Sequence, residues 1–235
     1  MTWLAANFPQ VLQLLGLHLY QSVVPLVLSV VIAVPLAQLA RTSRALSGVL
    51  LSLGSILYTV PSLALFVILP AVLGTRILDL ANVMVALTIY AVALLLRTSL
   101  DALNSVDDGV RQSAVAMGFK PVRRFLTVDL PLSVPVLVTG LRVVSVSNVS
   151  LVSVGALLGI PSLGSLFTDG LKRGFPTEIV IGIIGTLLLA LVLDAALVLL
   201  QRLLTPWLRG KAPRGAGRAG PEPAVPEPAG LEVGA

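Results

Sequence analysis

The chain has little of what most soluble enzymes depend on. None of its 235 residues is cysteine, which excludes disulfide bonds, thiolate metal sites and cysteine nucleophiles. His18 is the only histidine, too few for a histidine-based metal site or proton relay within one chain, and we expect no metal site. Charged residues make up 11%, against about 25% in soluble domains, whereas 56% are hydrophobic and the mean hydropathy is +0.99. These values indicate an integral membrane protein.

Sequence motifs of other functional classes are missing as well. No Gly-x4-Gly-Lys-Ser/Thr string occurs, so we expect this chain to bind no ATP, and HExxH and GxSxG are absent, so we expect no enzyme. The first forty residues contain no Lys, Arg, Asp or Glu, whereas a cleaved signal peptide begins with basic residues. The first apolar segment is therefore predicted to be a retained membrane anchor.

Five segments are apolar enough and long enough to cross a bilayer, which takes roughly 20 residues of helix. The predicted fold is an all-α integral membrane protein with about five transmembrane helices. The predicted spans are residues 17–40, 49–73, 77–96, 132–158 and 179–200.

The basic residues are distributed unequally between the two sides that five crossings create. Of 16 Lys and Arg, 12 fall on one side, 3 on the other, and Arg142 falls inside a span. The positive-inside rule therefore predicts an outside N-terminus and a cytoplasmic C-terminus. Residues 1–16 become an extracytoplasmic segment, 17–205 the transmembrane domain, and the Pro- and Gly-rich residues 206–235 a disordered cytoplasmic tail.

A polar island at residues 105–131 separates spans three and four on the cytoplasmic side. Ser105 and Asp108 match a capping box, which predicts that a helix begins at Ser105. Gly118 is predicted to end that helix in the left-handed conformation, and Pro121 suits the first turn of a second helix. That second helix is predicted to end at Leu130-Pro131.

The spacing in this island resembles a known family. Gln112-Ser113-Ala114-x3-Gly118-x9-Val128-x-Leu130-Pro131 is similar to the Glu-Ala-Ala loop of ABC importer permeases. Further segments resemble the branch that imports glycine betaine, choline and carnitine, and the resemblance covers about residues 15–205. These segments are 58–65 (Tyr-Thr-Val-Pro-Ser-Leu-Ala-Leu), 105–107 (Ser-Val-Asp), 130–135 (Leu-Pro-Leu-Ser-Val-Pro) and 154–159 (Val-Gly-Ala-Leu-Leu-Gly) with Leu163-Gly164.

The resemblance implies that the island is a coupling helix, docked on a cytoplasmic ATPase subunit through Gln112, Ser113, Ala114 and Gly118. Gln112 stands where the family has Glu and Ser113 where it has Ala, so charge pairing with the ATPase is in question. ATP and Mg would belong to that ATPase, with no cofactor on this chain. The other implied partners are a second permease subunit (identical or paralogous), an extracytoplasmic binding protein and membrane lipid, without nucleic acid, in a bacterial cytoplasmic membrane.

Polar residues inside the spans are candidates for function because they are costly in lipid. Arg142 and Asp194 fall at similar depths in spans four and five and are predicted to form an ion pair. Ser145 and Asn148 are candidates for a translocation pathway, with helix packing as the alternative. Tyr58 and Ser62, beside the helix-interrupting Pro61, are further pathway candidates, and the Tyr58 ring could hold a quaternary ammonium.

The predicted function is that of the transmembrane subunit of an ATP-driven importer for quaternary-ammonium osmoprotectants. One alternative is an ABC permease for another small solute, such as an amino acid or a taurine-like sulfonate. Another is an ion-coupled carrier, although such carriers more often show inverted repeats or several membrane carboxylates.

Overall fold

In the computed structural model, the described residues, 2–76 and 79–207, form nine α-helices. The predictions for residues 1, 77 and 78 and for residues 208–235 of the tail lie outside this part of the chain. The helices are α1 (Thr2–Ala40), α2 (Arg44–Thr59), α3 (Ser62–Leu73), α4 (Leu80–Asn104), α5 (Asp108–Ala116), α6 (Pro121–Arg124), α7 (Leu130–Gly155), α8 (Gly164–Arg173) and α9 (Pro176–Leu204).

Within residues 2–76 and 79–207, four helical stretches are long and apolar enough to cross a membrane: α1, α4, residues 121–158 including α7, and α9. The pair α2 and α3 counts as a fifth crossing if its two members form one bent span. The prediction of an all-α protein with about five transmembrane helices is confirmed.

The predicted second span is not one straight helix. It divides into α2 and α3, which meet at an angle of 103°. Val60 and Pro61 adopt extended conformations with ψ of 129° and 132°, because a proline ring disfavours helical geometry in the residue before it. The helix is thus interrupted at Pro61, as predicted, but the change of direction is much larger than that of a kinked helix.

The first span is part of a longer helix than predicted. α1 comprises 39 residues, about 58 Å at 1.5 Å per residue, and continues through residues 2–16 before the predicted span. α4 likewise extends past the predicted end of span three, to Asn104.

The centre of the bundle is formed by α1, α4 and α7. Leu26, Ala33, Leu95, Leu137 and Leu141 belong to one buried cluster that joins these three helices. Gly140 of α7 lies so close to α4 that a Cβ atom there would stand 2.3 Å from Cγ2 of Thr98. Small residues allow such close helix approach in membranes.

The polar island begins differently from the prediction. Ser105 ends α4 and does not cap the next helix, so the capping-box prediction is wrong. Asp107 is the N-cap of α5, and its carboxylate accepts hydrogen bonds from the backbone N–H groups of Gly109 (2.8 Å) and Val110 (3.1 Å). Both residue types cap helices well, so local sequence did not distinguish them.

The prediction that the helix after Gly118 ends at Leu130-Pro131 is also wrong. α6 continues through a π-helical turn, Phe125–Asp129, directly into α7. Within that turn the Leu130 N–H bonds to the Phe125 carbonyl, five residues earlier. A wide turn of this kind relieves the clash between a proline ring and the carbonyl four residues before it, so Pro131 is accommodated inside a continuous helical stretch.

At the opposite end of the bundle from α5, the short amphipathic helix α8 connects α7 to α9. No helix was predicted there. The aromatic rings of Trp3 and Phe175 lie 6.0 Å apart, so the start of α1 contacts the turn between α8 and α9.

Candidate functional site

The C-terminal end of α5 has the geometry predicted for Gly118. The φ angle of Gly118 is +80°, in the left-handed region that glycine occupies without strain. The Phe119 N–H bonds to the Ala114 carbonyl (3.1 Å) and the Gly118 N–H to the Val115 carbonyl (2.9 Å), which is the Schellman pattern. The Arg123 guanidinium lies 4.7 Å from the centre of the Phe119 ring. The turn between α5 and α6 is therefore a defined structure.

The four residues predicted to dock on a partner do not share one exposed face. Gln112, Ser113 and Gly118 are exposed, but Ala114 is the buried residue of α5. The prediction that Ala114 belongs to the docking surface is therefore not supported by its position. Exposed apolar side chains that sequence reasoning missed surround the other three, namely Val115, Met117 and Val122.

The carboxylate of Asp129, at the end of the π-helical turn, is fully buried among three arginines. Its Oδ1 accepts a hydrogen bond from Nε of Arg111 in α5 at 3.1 Å. Its Oδ2 lies 3.4 Å from Nε of Arg124 in α6 and 4.0 Å from Nη1 of Arg41, just after α1. We call these four residues the Asp129 cluster. It connects the end of α1, helix α5 and the start of α7.

Arg111 has the most partners in this cluster. Besides Asp129, it donates to Oδ1 of Asp108 at 2.6 Å and to the carbonyl of Leu103 at the end of α4. Burial, and then repulsion from Arg111, lowers the pKa of Arg41 from its usual value. Arginine remains protonated at neutral pH, so three positive charges surround one buried carboxylate.

A cavity of about 520 Å³ opens at the break between α2 and α3. Tyr58 and Ser62 line it, with Tyr90 from α4 and Ser147 and Ser150 from α7. The Tyr58 and Tyr90 rings meet edge to face with centroids 6.0 Å apart. The Tyr90 hydroxyl donates to the Val60 carbonyl, one of the acceptors that the helix break leaves free. The cavity is thus both aromatic and hydroxyl-rich.

Ser145 and Asn148 do not line this cavity. Both are buried, and the Asn148 side-chain amide donates to the carbonyl of Ser22 in α1 at 3.3 Å. On the same face, Nε2 of His18 lies 3.0 Å from the Val149 carbonyl. This placement favours the packing alternative for Ser145 and Asn148 and does not support the pathway prediction for them.

Arg142 and Asp194 form a bidentate salt bridge between α7 and α9. Nε of Arg142 donates to Oδ1 of Asp194 at 2.6 Å, and Nη2 donates to Oδ2 at 2.8 Å. The two side chains are 41% and 28% exposed, and with Ser147 they line a second cavity of about 410 Å³. The structure therefore brings the predicted partners together beside an open surface.

Three comparisons with known proteins agree on the kind of chain this is. Residues 26–210 match the family described as binding-protein-dependent transport system inner membrane component. The chain belongs to that family. This permease therefore is a multi-pass membrane protein and the membrane subunit of a transport system, as its apolar helices indicate.

Curated relatives of this permease cover most of its length. It is 27% identical over 206 residues to the glycine betaine/carnitine/choline transport system permease protein OpuCB of Bacillus subtilis, covering 88% of this chain and 94% of the relative. It is 31% identical over 192 residues to the osmoprotectant import permease protein OsmW of Salmonella typhimurium, covering 80% and 89%.

Solved structures share the fold. This permease superposes on a chain of the inward-facing MetNI methionine ABC transporter with a TM-score of 0.73, at 21% identity, covering 87% of this chain and 98% of that one. The likeness supports the architecture of an ABC importer transmembrane subunit. Among the described residues of this permease, no group of three His, Asp or Glu is placed to hold a metal ion.

The residues of this permease that sequence reasoning missed lie mainly in the Asp129 cluster. Asp129 lies inside the polar island, and its burial distinguishes it from the exposed Asp107 and Asp108. A carboxylate with an apolar residue on each side, in Val128-Asp129-Leu130, was the signal that could have marked it. Of its partners, Arg124 is close in sequence, but Arg111 belongs to another helix and Arg41 follows α1, so no local pattern connects all of them.

Proposed function

We propose that this permease is the transmembrane subunit of an ATP-driven importer for quaternary-ammonium osmoprotectants. The observation that carries the proposal is the cavity at the α2–α3 break. Its lining residues include two tyrosines and several hydroxyls but no charged side chain. A quaternary ammonium is weakly hydrated and is attracted to aromatic faces, so this lining fits a solute of that class. The names of the relatives point to the same solutes.

The solute path runs along the open side of α7. Ser147 lines both the cavity at the break and the cavity beside Arg142 and Asp194, so the two spaces lie next to each other. Tyr58 is 47% exposed in the single chain and presents its ring to this path. Five helices of one chain do not enclose it, and a second permease subunit, identical or paralogous, completes the wall.

The partners follow from the same proposal. A cytoplasmic ATPase subunit, carrying ATP and Mg, docks on α5 through Gln112, Ser113 and Gly118 with the neighbouring exposed apolar side chains. Exposed apolar residues at a water-facing end are typical of such interfaces. An extracytoplasmic binding protein delivers solute at the α8 end. The N-terminus is then outside and the α5 end cytoplasmic, and alternation between two rigid-body states moves the solute.

The experiment that tests the function is ATP-dependent uptake in proteoliposomes. The permease is reconstituted with candidate ATPase and binding-protein partners, and uptake of labelled glycine betaine, choline and carnitine is measured. Unlabelled amino acids and taurine serve as competitors. We expect uptake that requires ATP and the ATPase and that only quaternary ammonium compounds inhibit. Inhibition by an amino acid alone would contradict the solute class, and uptake without any ATPase would indicate a carrier.

Two variants connect the uptake to the cavity. Tyr58→Ala removes the ring, whereas Tyr58→Phe keeps it. A cation–π contact at an exposed site contributes about 0.5–1 kcal/mol, so Tyr58→Ala should slow uptake by about threefold and Tyr58→Phe should not. Equal loss in both would implicate the hydroxyl and argue against attraction to the ring.

A further inference from the structure

At the α5 end of the bundle, the Asp129 cluster connects several helices through charged side chains. Asp129 is 0% exposed, and its arginine partners come from three places in the sequence. Arg41 follows α1, Arg111 is in the middle of α5, and Arg124 ends α6. Asp129 itself precedes α7 without a break in the helix. One carboxylate therefore contacts the segments that lead to two of the central membrane helices.

Helix α5 has few other attachments to the spans. Ala114 is its one buried side chain, while Gln112, Ser113, Val115 and Ala116 are exposed. Arg111 is the member of α5 that reaches inward, bonding both Asp129 and the Leu103 carbonyl at the end of α4. Besides its backbone connections to α4 and α6, α5 is therefore attached to the rest of the bundle mainly through Ala114 and Arg111.

A buried ion pair of this kind suits transmission better than simple stabilisation. Desolvating charges is expensive, and a buried pair often adds little net stability over an apolar replacement. It does impose a specific geometry, because breaking a buried pair leaves an uncompensated charge, and the planar guanidinium bonds its acceptors in fixed directions. The contact therefore keeps helix α5 in one position relative to α7.

We propose that Asp129 is a positioning residue for energy coupling, holding α5 in fixed register with α1 and α7 so that displacement of α5 moves both membrane helices. The inference rests on the proposed function, since it takes α5 to be the helix on which an ATPase acts. Asp129 touches neither solute nor nucleotide in this assignment. It acts through Arg111, and to a lesser degree through Arg124 and Arg41.

The distances rank the arginines. Arg111 makes the one hydrogen bond to Asp129, at 3.1 Å, and connects it to α5. Arg124 at 3.4 Å and Arg41 at 4.0 Å approach Oδ2 without completing a hydrogen bond. Loss of Arg111 should therefore impair coupling more than loss of Arg41.

The test measures uptake per ATP hydrolysed in the reconstituted full transporter. Asp129→Asn keeps the size of the side chain and removes its charge. Arg111→Lys keeps a charge but loses the planar fork that reaches several acceptors at once. The matched control is Asp108→Asn, which removes a carboxylate bonded to the same Arg111 but 81% exposed. Size-exclusion chromatography establishes that each complex assembles.

We expect Asp129→Asn to hydrolyse ATP while its uptake per ATP falls at least about tenfold, because breaking a buried pair is strongly unfavourable. Arg111→Lys should lose severalfold, Arg41→Gln less, and Asp108→Asn nothing. Asp129→Glu, which restores the charge, should recover part of the coupling. A residue needed only for folding would lower assembly, hydrolysis and uptake together and leave their ratio unchanged.

A parental ratio of uptake to hydrolysis in assembled Asp129→Asn would overturn the inference. If that variant does not assemble, Arg111→Lys decides, and a parental ratio there would overturn the inference equally. An equal loss of coupling in Asp108→Asn would also contradict the inference. The loss would then follow from disturbing Arg111 and not from removing the buried charge of Asp129.

A second measurement separates this inference from the proposed function. Hydrogen exchange of the α5 amides in the purified complex needs no solute. Release of α5 in Asp129→Asn should speed exchange in residues 108–116 at least about tenfold, with the centre of α4 unchanged. Failure of the parent to take up any quaternary ammonium would count against the solute assignment, whereas unchanged α5 exchange would count against the role of Asp129.

Discussion

The two faces of α7 contain the same kinds of residues and have different surroundings. One face carries Ser145 and Asn148 and is buried against α1, with polar groups bonded to backbone carbonyls. The other carries Ser147 and Ser150 and is open to the cavity at the α2–α3 break. Gly140 is buried against Thr98 of α4, whereas Arg142 is partly exposed beside Asp194. Serine content alone therefore does not indicate which face conducts solute.

Small polar residues therefore have two uses in this membrane bundle. On the buried face they satisfy backbone groups and permit close helix contact, so substitutions should alter stability. On the open face they line space that a solute can enter, so substitutions should alter transport while the fold persists. The following predictions test that division, beginning with the largest effect.

The largest effect is expected for Gly140→Leu, at the buried contact between α7 and α4. Even a Cβ atom there would stand 2.3 Å from Cγ2 of Thr98, and overpacking a tight contact costs about 1–3 kcal/mol or more. The yield of folded protein and the melting temperature in detergent should fall sharply. Gly16→Leu is the control, because no atom lies within 4 Å of a Cβ at Gly16. Equal melting temperatures in the two variants would contradict the close contact.

An intermediate effect is expected for charge reversal on the open face. Arg142→Asp or Asp194→Arg places two like charges where a 2.6 Å hydrogen bond now joins opposite ones, so uptake should fall about tenfold or more. The double reversal restores opposite charges and should recover most of the uptake. Melting temperatures should change less than for Gly140→Leu, since both groups are partly exposed. A double variant as inactive as the singles would show that pairing is not what matters.

The smallest effect, and the sharpest comparison, comes from neighbouring residues on opposite faces. Asn148→Leu removes a buried hydrogen bond to the Ser22 carbonyl, which should cost about 1 kcal/mol of stability and leave uptake per folded molecule unchanged. Ser147→Leu narrows the cavity and should lower uptake severalfold at an unchanged melting temperature. The reverse pattern would exchange the assigned roles of the two faces.

Much of the fold was predictable because a helix that crosses a bilayer must be a long run of apolar residues. Length and apolarity located the crossings, and Pro61 located the break in the second. The 103° angle was not predictable, since it depends on packing of α3 against α4 and α7. Apolarity also does not predict burial within the single chain. In the apolar part of α9, 6% of the residues are buried, against 50% in that of α4.

The candidate site was predictable only where its residues are close in sequence or match a family spacing. Gly118 was found because the left-handed turn requires glycine, and Arg142 with Asp194 because charges in spans are rare. Ser145 and Asn148 lie buried, with Asn148 bonded to the Ser22 carbonyl of α1, and their role in a pathway stays a prediction. A helical wheel shows which residues of one helix point the same way, but it does not show which neighbouring helix they meet. The Asp129 cluster combines residues up to 88 positions apart, from 41 to 129, and no periodicity in the sequence connects those.

The length of α1 has an experimental consequence. The helix reaches from Trp3, beside Phe175, to Arg41, beside Asp129, so one continuous element connects opposite ends of the molecule. The chain contains two tryptophans, Trp3 at one end and Trp207, after α9, at the other. Replacing either one with phenylalanine leaves a single tryptophan at a known end of the molecule, and its fluorescence then reports whether a partner bound at the opposite end changes the surroundings of that ring.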